Sequence, residues 1–382
     1  MLICSTCIVD ESVPGAAFDR DGVCSYCRLQ ARMELQYPND GRGEEHLARL
    51  LDRVRRAGRG RKYDCVIGFS GGRDSTYTLY RAKREWGLRP LAVHFNDGFG
   101  NPMAGENMQK AADKLGVDLS YYTSDWRESK DLKLAFLRAS TPDLEEGTDI
   151  GIAAALYGAA ARERVKYILI GQSFRTEGIS PLPWNYLDGR YLHAVHRRFG
   201  SVELRPWRPE DPGFNLRTWH LAYYALIRGI RTITPLYHTN YVRAEVDEVL
   251  KRELDWEYPG AHYFDDLYQS LMAYVYRTKF GIERRRFNYS ALVRSGQMSR
   301  AEALDAVSEK YVLEDDKTID LCIKRLGISR EEFDSYMEIA PKTFRDYPSD
   351  YNFIRLMRPV IYLLSSVGIL PQVTYEKYFH CG

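Results

Sequence analysis

Short apolar stretches alternate with amphipathic ones along the first two-thirds of the chain. Cys65 to Phe69, Pro90 to Phe95, Asp118 to Tyr122, Tyr167 to Gln172 and Thr232 to Leu236 have the length and residue types of strands. The runs at 65–69 and 167–170 are apolar almost without alternation, the pattern of strands buried on both faces of a parallel sheet. Between the strands, Arg42 to Lys62 carries Leu47, Leu50, Leu51 and Val54 at helical spacing, and its arginines read as a solvated face. Further helices are predicted over Thr76 to Trp86, Met103 to Leu115 before Gly116, Trp126 to Leu137 and the Ala-rich Asp149 to Val165, with Asp149 a candidate cap. This alternation predicts an α/β fold, a doubly wound and mostly parallel sheet with right-handed crossovers. Beyond Leu254 the strand pattern fades and helices dominate.

Such a sheet binds ligands beyond the carboxyl ends of its strands, and that selects candidates. The first strand runs into Ser70-Gly71-Gly72-Arg73-Asp74-Ser75. Two glycines let the backbone turn sharply and approach a ligand, and the start of the following helix favours an anion. Ser70 and Ser75 add hydroxyl donors, and Asp74 adds a carboxylate suited to holding Mg²⁺ against phosphate oxygens. The pattern predicts a pyrophosphate cradle; it is not a Walker loop, because no G-x-x-x-x-G-K-[ST] occurs. The second strand ends at His94, Asn96 and Asp97, placed for adenine or ribose. The fourth ends at Gly171 and Gln172, followed by Arg175 and Glu177. Arg73 or Arg175 would neutralise pyrophosphate; His94 reads equally as a packing residue and Gln172 as a loop cap.

Four of the seven cysteines, Cys4, Cys7, Cys24 and Cys27, form two C-x2-C pairs with zinc-ribbon spacing. Two such knuckles complete a Cys₄ site around one tetrahedral ion, which predicts structural Zn²⁺, with an iron–sulfur cluster or redox pair as the alternatives. Cys65, Cys322 and Cys381 lack metal-like spacing, and Cys65 reads as a buried small hydrophobe.

Composition changes this picture little. The 382 residues are 45% hydrophobic and 28% charged, as in an ordinary globular protein, and a formal charge of +2 gives no ground to expect nucleic-acid binding. No apolar run approaches ~20 residues, so no membrane span is expected. The first residues lack the basic flank and apolar core of a signal peptide, and the expected location is cytoplasmic. Many of the 28 tyrosines fall in the second half, where they fit core and subunit contact.

The loop resembles the PP-loop ATP pyrophosphatase signature S-G-G-x-D-S, shared by GMP synthetase, NAD synthetase, asparagine synthetase and the tRNA thiolases. That resemblance implies ATP cleavage between the α and β phosphates, with AMP transferred to a substrate oxygen. The stretch from Ile233 through Pro235-Leu236 to Glu245-Val246 resembles the strand-to-helix exit of the superfamily. The order of the segments beginning at Trp256, Tyr276 and Leu292, with Arg73 and Gly296-Gln297-Met298, resembles the N-acetyl sugar amidotransferases of bacterial surface-polysaccharide synthesis over nearly the whole chain. The family likeness implies a zinc ribbon over 1–40, a PP-loop domain over 41–254, and a helical substrate or oligomerisation region over 255–382. It implies adenylylation of an acetamido oxygen on a UDP-linked sugar and displacement of AMP by ammonia, giving an acetamidino sugar for LPS or O-antigen. His262, Arg277, Lys279, Arg284, Arg285 and Arg286 are the candidate diphosphate contacts, each with a solvated helix face as the alternative. Position two is leucine and no Gly-x-Cys-x-Gly elbow occurs, so ammonia is expected from a separate glutaminase subunit resembling the histidine-biosynthesis glutaminase. A homo-oligomer is left open. Two other readings stand beside this one: a PP-loop tRNA thiolase, and a non-catalytic nucleotide-binding scaffold.

Overall fold

A computed structural model describes residues 2–257 and 266–380. Five parallel strands, β1 (Cys65–Gly68), β2 (Pro90–Asn96), β3 (Asp118–Thr123), β4 (Tyr167–Leu169) and β5 (Arg231–Ile233), pair in the order β3-β2-β1-β4-β5. After β3 the chain returns to place β4 on the other side of β1. The order therefore reverses between β1 and β4, and the crevice beyond their carboxyl ends is where an open α/β sheet binds ligands.

Helices α1 (Ser25–Gln36) and α2 (Gly41–Ala57) precede the sheet, and α3 (Arg73–Tyr80), α4 (Pro102–Leu115), α5 (Trp126–Ala139) and α6 (Glu146–Arg162) connect its strands. One face is covered by α2, α3 and α4, with Leu47, Leu51, Leu79, Met108 and Leu115 buried against Ile67 and Leu169. The other receives α5 and α6. The short α7 (Phe174–Glu177), α8 (Gly189–Phe199) and α9 (Thr218–Ala222) lie between β4 and β5, and α10 (Arg243–Leu254) follows β5. The C-terminal part is helical: α11 (Tyr268–Phe280), α12 (Arg284–Arg294), α13 (Arg300–Ser308), α14 (Asp316–Leu326), α15 (Arg330–Glu338), α16 (Tyr351–Leu356), α17 (Arg358–Ser366) and α18 (Gln372–His380). One hydrophobic cluster runs from Cys4 and Tyr26 through Ile150 and Ile168 to Phe287, Phe333 and Tyr347, so the three regions of the chain share a core.

The strands and helices stand close to where the sequence pattern puts them, with local differences; α2 ends at Ala57, and α6 begins at Glu146 so that Asp149 lies inside it rather than capping it. The helix after the loop begins at Arg73 rather than Thr76 and widens into a π turn over Arg81–Glu85, where Trp86 N–H donates to Arg81 O at 2.8 Å. Strand β4 ends at Leu169. Strand β5 ends at Ile233, and Pro235–His238 form a 3₁₀ turn, because proline has no N–H to continue a ladder. No helix among the described residues is long and apolar enough to cross a membrane.

Candidate active site and metal centre

The loop leaving β1 is shaped by close backbone contacts. Gly71 has φ +81°, and a Cβ there would stand 2.3 Å from Ala104 O of α4, so any side chain would push the loop off its neighbour. Trp256 Nε1–H donates to Gly71 O at 2.9 Å from the far end of α10. The Ser70 and Ser75 hydroxyls lie 3.2 Å apart, and Ser75 Oγ also accepts from Ser70 N–H. Gly72 is the N-cap of α3 and brings no side chain to the helix end, where partial positive charge favours an anion. At β4, a Cβ on Gly171 would lie 2.5 Å from Asp74 O. The two strand ends that flank the switch point are in contact.

Asp74 is buried and accepts a hydrogen bond from the hydroxyl of Tyr241, itself 1% exposed. Burial, and then the Asp74 charge, push the Tyr241 phenol well above its ordinary pKa, so it stays a donor. Gln297 brackets this tyrosine: its amide donates to Tyr241 O at 3.0 Å and its carbonyl accepts from Arg243 N–H at 2.9 Å. Ser173, two residues past Gly171, has a buried hydroxyl with no hydrogen-bond partner among the described residues. Sequence reading missed both Tyr241 and Ser173. Tyr241 is 167 residues from Asp74, and Ser173's only signal was its place just after a strand end.

Several predicted contacts have other partners. Arg73 pairs through Nε and Nη2 with Asp247 of α10, the second at 2.9 Å. Burial opposes its charge, but that carboxylate outweighs it and raises the guanidinium pKa. Arg175 is 3% exposed and clamps Glu34 of α1, with further bonds to Tyr37 O and Tyr237 O. That position suits a tie between α1 and α7 rather than a phosphate contact. Asp97 is 4% exposed; it pairs with Lys133 at 2.7 Å and accepts from Thr148 Oγ and Phe99 N–H, both at 2.9 Å. Its carboxylate supports the turn after β2 instead of facing a ribose. Asn96 accepts from Gly98 N–H in the same turn. His94 is half-buried with Nδ1 3.0 Å from Phe69 O, and burial lowers its pKa. Gln172 is exposed at the end of β4, and Glu177 ends α7.

The basic residues of the C-terminal helices are also redistributed. Arg277 pairs with Glu314 at 2.5 Å, and Lys279 donates to Tyr336 O, with burial lowering its pKa to about 8. Arg285 pairs with Glu283 and donates to carbonyls at the end of α13. Arg286 pairs with Asp10 at 3.0 Å and donates to Ile8 O. These four hold protein groups rather than standing open as diphosphate contacts. Arg284 donates to Gln269, which reaches Glu145 beside the N-terminus of α6, at the carboxyl edge of the sheet. His262 lies outside the described residues.

The sulfurs of Cys4, Cys7, Cys24 and Cys27 all lie within 4.8 Å of one another. Three of their separations are 3.8, 3.7 and 3.6 Å. A tetrahedron with ~2.3 Å metal–sulfur bonds has edges of about 3.8 Å, so the four thiolates fit one metal ion. Arg294 reaches Cys7 Sγ at 3.7 Å, and Arg300 donates to Cys4 O and Cys7 O. Cys65 and Cys322 are buried elsewhere.

A parallel sheet in this order, with S-G-G-R-D-S leaving its central strand at the switch point, defines a PP-loop α/β protein. Residues 255–359 match the family described as LPS biosynthesis protein WbpG-like, C-terminal domain. An uncharacterized protein of Methanocaldococcus jannaschii is 26% identical over 127 residues, which are 33% of this chain and 44% of that protein; the match thus spans less than half of that relative. Among solved structures, NMN synthetase from Francisella tularensis is similar at 14% identity and a TM-score of 0.34, covering 76% of this chain and 98% of its own. The U34-tRNA thiolase NcsA from Methanococcus maripaludis is similar at 12% and 0.30, covering 81% and 89%. The NH3-dependent NAD synthetase from Campylobacter jejuni is similar at 11% and 0.32, covering 68% and 96%.

Proposed function

We propose that this protein is an ATP-dependent amidotransferase that converts the acetamido group of a nucleotide-linked N-acetyl sugar, a UDP-diacetamido uronic acid in the first instance, into an acetamidino group for LPS or O-antigen synthesis. The observation that carries the reading is the joining of a PP-loop at the sheet's switch point to a WbpG-like helical segment. An amide oxygen is a poor leaving group; transfer of AMP to it releases pyrophosphate and gives an O-adenylyl imidate. Ammonia then adds to the imidate carbon, AMP leaves with the oxygen, and a proton is lost to give the amidine.

In this reading the Ser70–Ser75 loop and the start of α3 bind the pyrophosphate portion of ATP, with Ser173, Gly171, Gln172 and Glu177 along the β4 side and His94 and Asn96 along the β2 side. Asp74 is the residue that would hold Mg²⁺, which supplies charge neutralisation at the phosphates when bound. Tyr241 orients the Asp74 carboxylate, and Arg73 adds positive charge beside it. The fit rests on the glycine-shaped cradle and on Ser173, a buried hydroxyl with no acceptor or donor among the described residues. Zn²⁺ is proposed for the Cys₄ site, where four protein ligands leave no open position, so its role is structural. Arg284 is the remaining proposed sugar-nucleotide contact among the described basic candidates. A separate glutaminase subunit would supply ammonia.

The test is pyrophosphate release from Mg-ATP and ammonium with a panel of UDP-N-acetyl sugars, beside Asp74→Asn. Sugar-dependent pyrophosphate and a product about one mass unit lighter support the reading. Release that appears only with tRNA and a sulfur donor would replace it with a thiolase.

A further inference from the structure

Helices α16 and α17 carry an apolar stripe that nothing among the described residues covers. Phe353, Leu356, Val360, Leu363 and Val367 are 54%, 78%, 43%, 60% and 58% exposed. The helical path continues through Met357, which donates to Phe353 O at 3.0 Å and accepts from Ile361 N–H at 2.9 Å. The five positions recur at intervals of three and four residues, the spacing of a two-helix seam, and at 3.6 residues per turn they fall within an arc of about 80°.

We propose that this stripe is a two-fold interface between copies of the chain. Its sequence is self-complementary about Val360: in an antiparallel pair Phe353 meets Val367, Leu356 meets Leu364, Met357 meets Leu363, and Val360 meets itself. A two-fold contact requires such a surface, which is its own partner. The flanking positions Asn352, Pro359 and Ser366 are uncharged. The nearby cations are turned away, Arg355 over the Tyr351 ring at 5.7 Å, and Arg358 bonded to the Tyr375 hydroxyl at 3.2 Å. A copy therefore meets itself without like-charge repulsion, whereas an anionic lipid surface or a charged partner would find nothing on the stripe to pair with. With large side chains carrying on the order of 200 Å² each, the exposures leave roughly 600 Å² bare per copy, near the ~800 Å² that a stable interface takes from each partner. A patch of this size is at the upper end of what monomers expose, where such patches are often functional.

The experiment compares the full chain with Leu356→Glu/Leu363→Glu by sedimentation and light scattering, with circular dichroism to verify folding. Wild type is expected at twice the chain mass at micromolar concentration, and the double variant at the chain mass, with dimer affinity weakened at least ~100-fold. Val360→Cys should cross-link two chains under mild oxidation, because the axis passes beside that position. A wild-type monomer at tens of micromolar overturns the proposal, including one whose stripe instead binds lipid vesicles or a glutaminase. So does a dimer that survives the double substitution and fails to cross-link through position 360.

Discussion

Replacing Arg286 separates two accounts of the basic run in α12. Its guanidinium is 16% exposed and meets Asp10, whose side chain is 1% exposed, at 3.0 Å. The second Asp10 oxygen accepts from the N–H and hydroxyl of Ser12, at 3.0 and 2.6 Å. In Arg286→Met the arginine stem is largely kept, but Asp10 is left charged, buried and without its cation. Removing one partner of such a pair costs about 3–5 kcal/mol, most of it the penalty of the stranded charge. The damage should fall on the ribbon, because Arg286 also holds Ile8 O at 3.1 Å, one residue from Cys7. Urea unfolding should show the loss, and a chromogenic chelator should take the metal from the variant faster than from wild type. Asp10→Asn with Arg286→Met should recover a large part of the stability, since no charge is then stranded. If Arg286 binds a sugar diphosphate instead, the single variant would raise the KM for the nucleotide sugar and leave stability and metal release within ~0.5 kcal/mol of wild type. That result would refute the clamp.

Other perturbations probe the loop and the buried charges. Tyr241→Phe removes a donor to a buried carboxylate and should cost about 1.5–3 kcal/mol; the half-saturating Mg²⁺ for pyrophosphate release should rise, and an unchanged Mg²⁺ titration would remove Tyr241 from the site. Lys133→Met should cost about 3–5 kcal/mol at pH 8 and less near pH 5, because Asp97, held low against burial mainly by the Lys133 charge, would then take up a proton in the folded state. Asp143 is fully buried, which raises its pKa to about 7 despite hydrogen bonds from Tyr186 N–H and Tyr191. The folded protein thus binds this proton more tightly than the unfolded chain, so stability from this group is greatest at low pH and is lost as pH rises from about 4 to about 7. Asp143→Asn should flatten that part of a urea-midpoint versus pH curve, and an unchanged slope would reject the assignment. Stripping the metal with a chelator should lower the unfolding midpoint of the whole chain in one transition; separate melting of the first 40 residues would contradict the shared core.

The strand pattern, the loop and the cysteine pairs were legible because each is a local signal. Apolar runs show strands, Gly71 shows a backbone that tolerates no Cβ, and C-x2-C places two thiolates on one knuckle. The partners of charged residues were not legible. Arg175, Arg286 and Asp97 have the residue types and positions of phosphate or ribose ligands, yet their acceptors and donors lie 141, 276 and 36 residues away, at Glu34, Asp10 and Lys133. An arginine fork fits a carboxylate and a phosphate alike, so sequence gives its chemistry without its partner. Tyr241 was hidden for the same reason, in a stretch that reads as a strand-to-helix connection.

The arginines of α12 and α13 join the cysteine knuckle to the loop after β1. Arg286, Arg294 and Arg300 grip the ribbon at Asp10, Cys7 Sγ and the knuckle carbonyls. Between Arg294 and Arg300, Ser295 donates to Arg175 O at 2.8 Å and Gln297 brackets Tyr241, the donor to Asp74. Four of the seven positions from 294 to 300 therefore touch the cysteine cluster, the turn after β4 and the strap that supports the loop. A closed Cys₄ ion has no coordination site for substrate, but it can fix the shape of the surface against which these positions pack. Loosening the knuckle would free α12 and the Ser295–Gln297 turn, and with them the orientation of Tyr241. Under the proposed function the ribbon would act on the Ser70–Ser75 loop through packing, and variants in the knuckle should lower turnover only to the extent that they release α12.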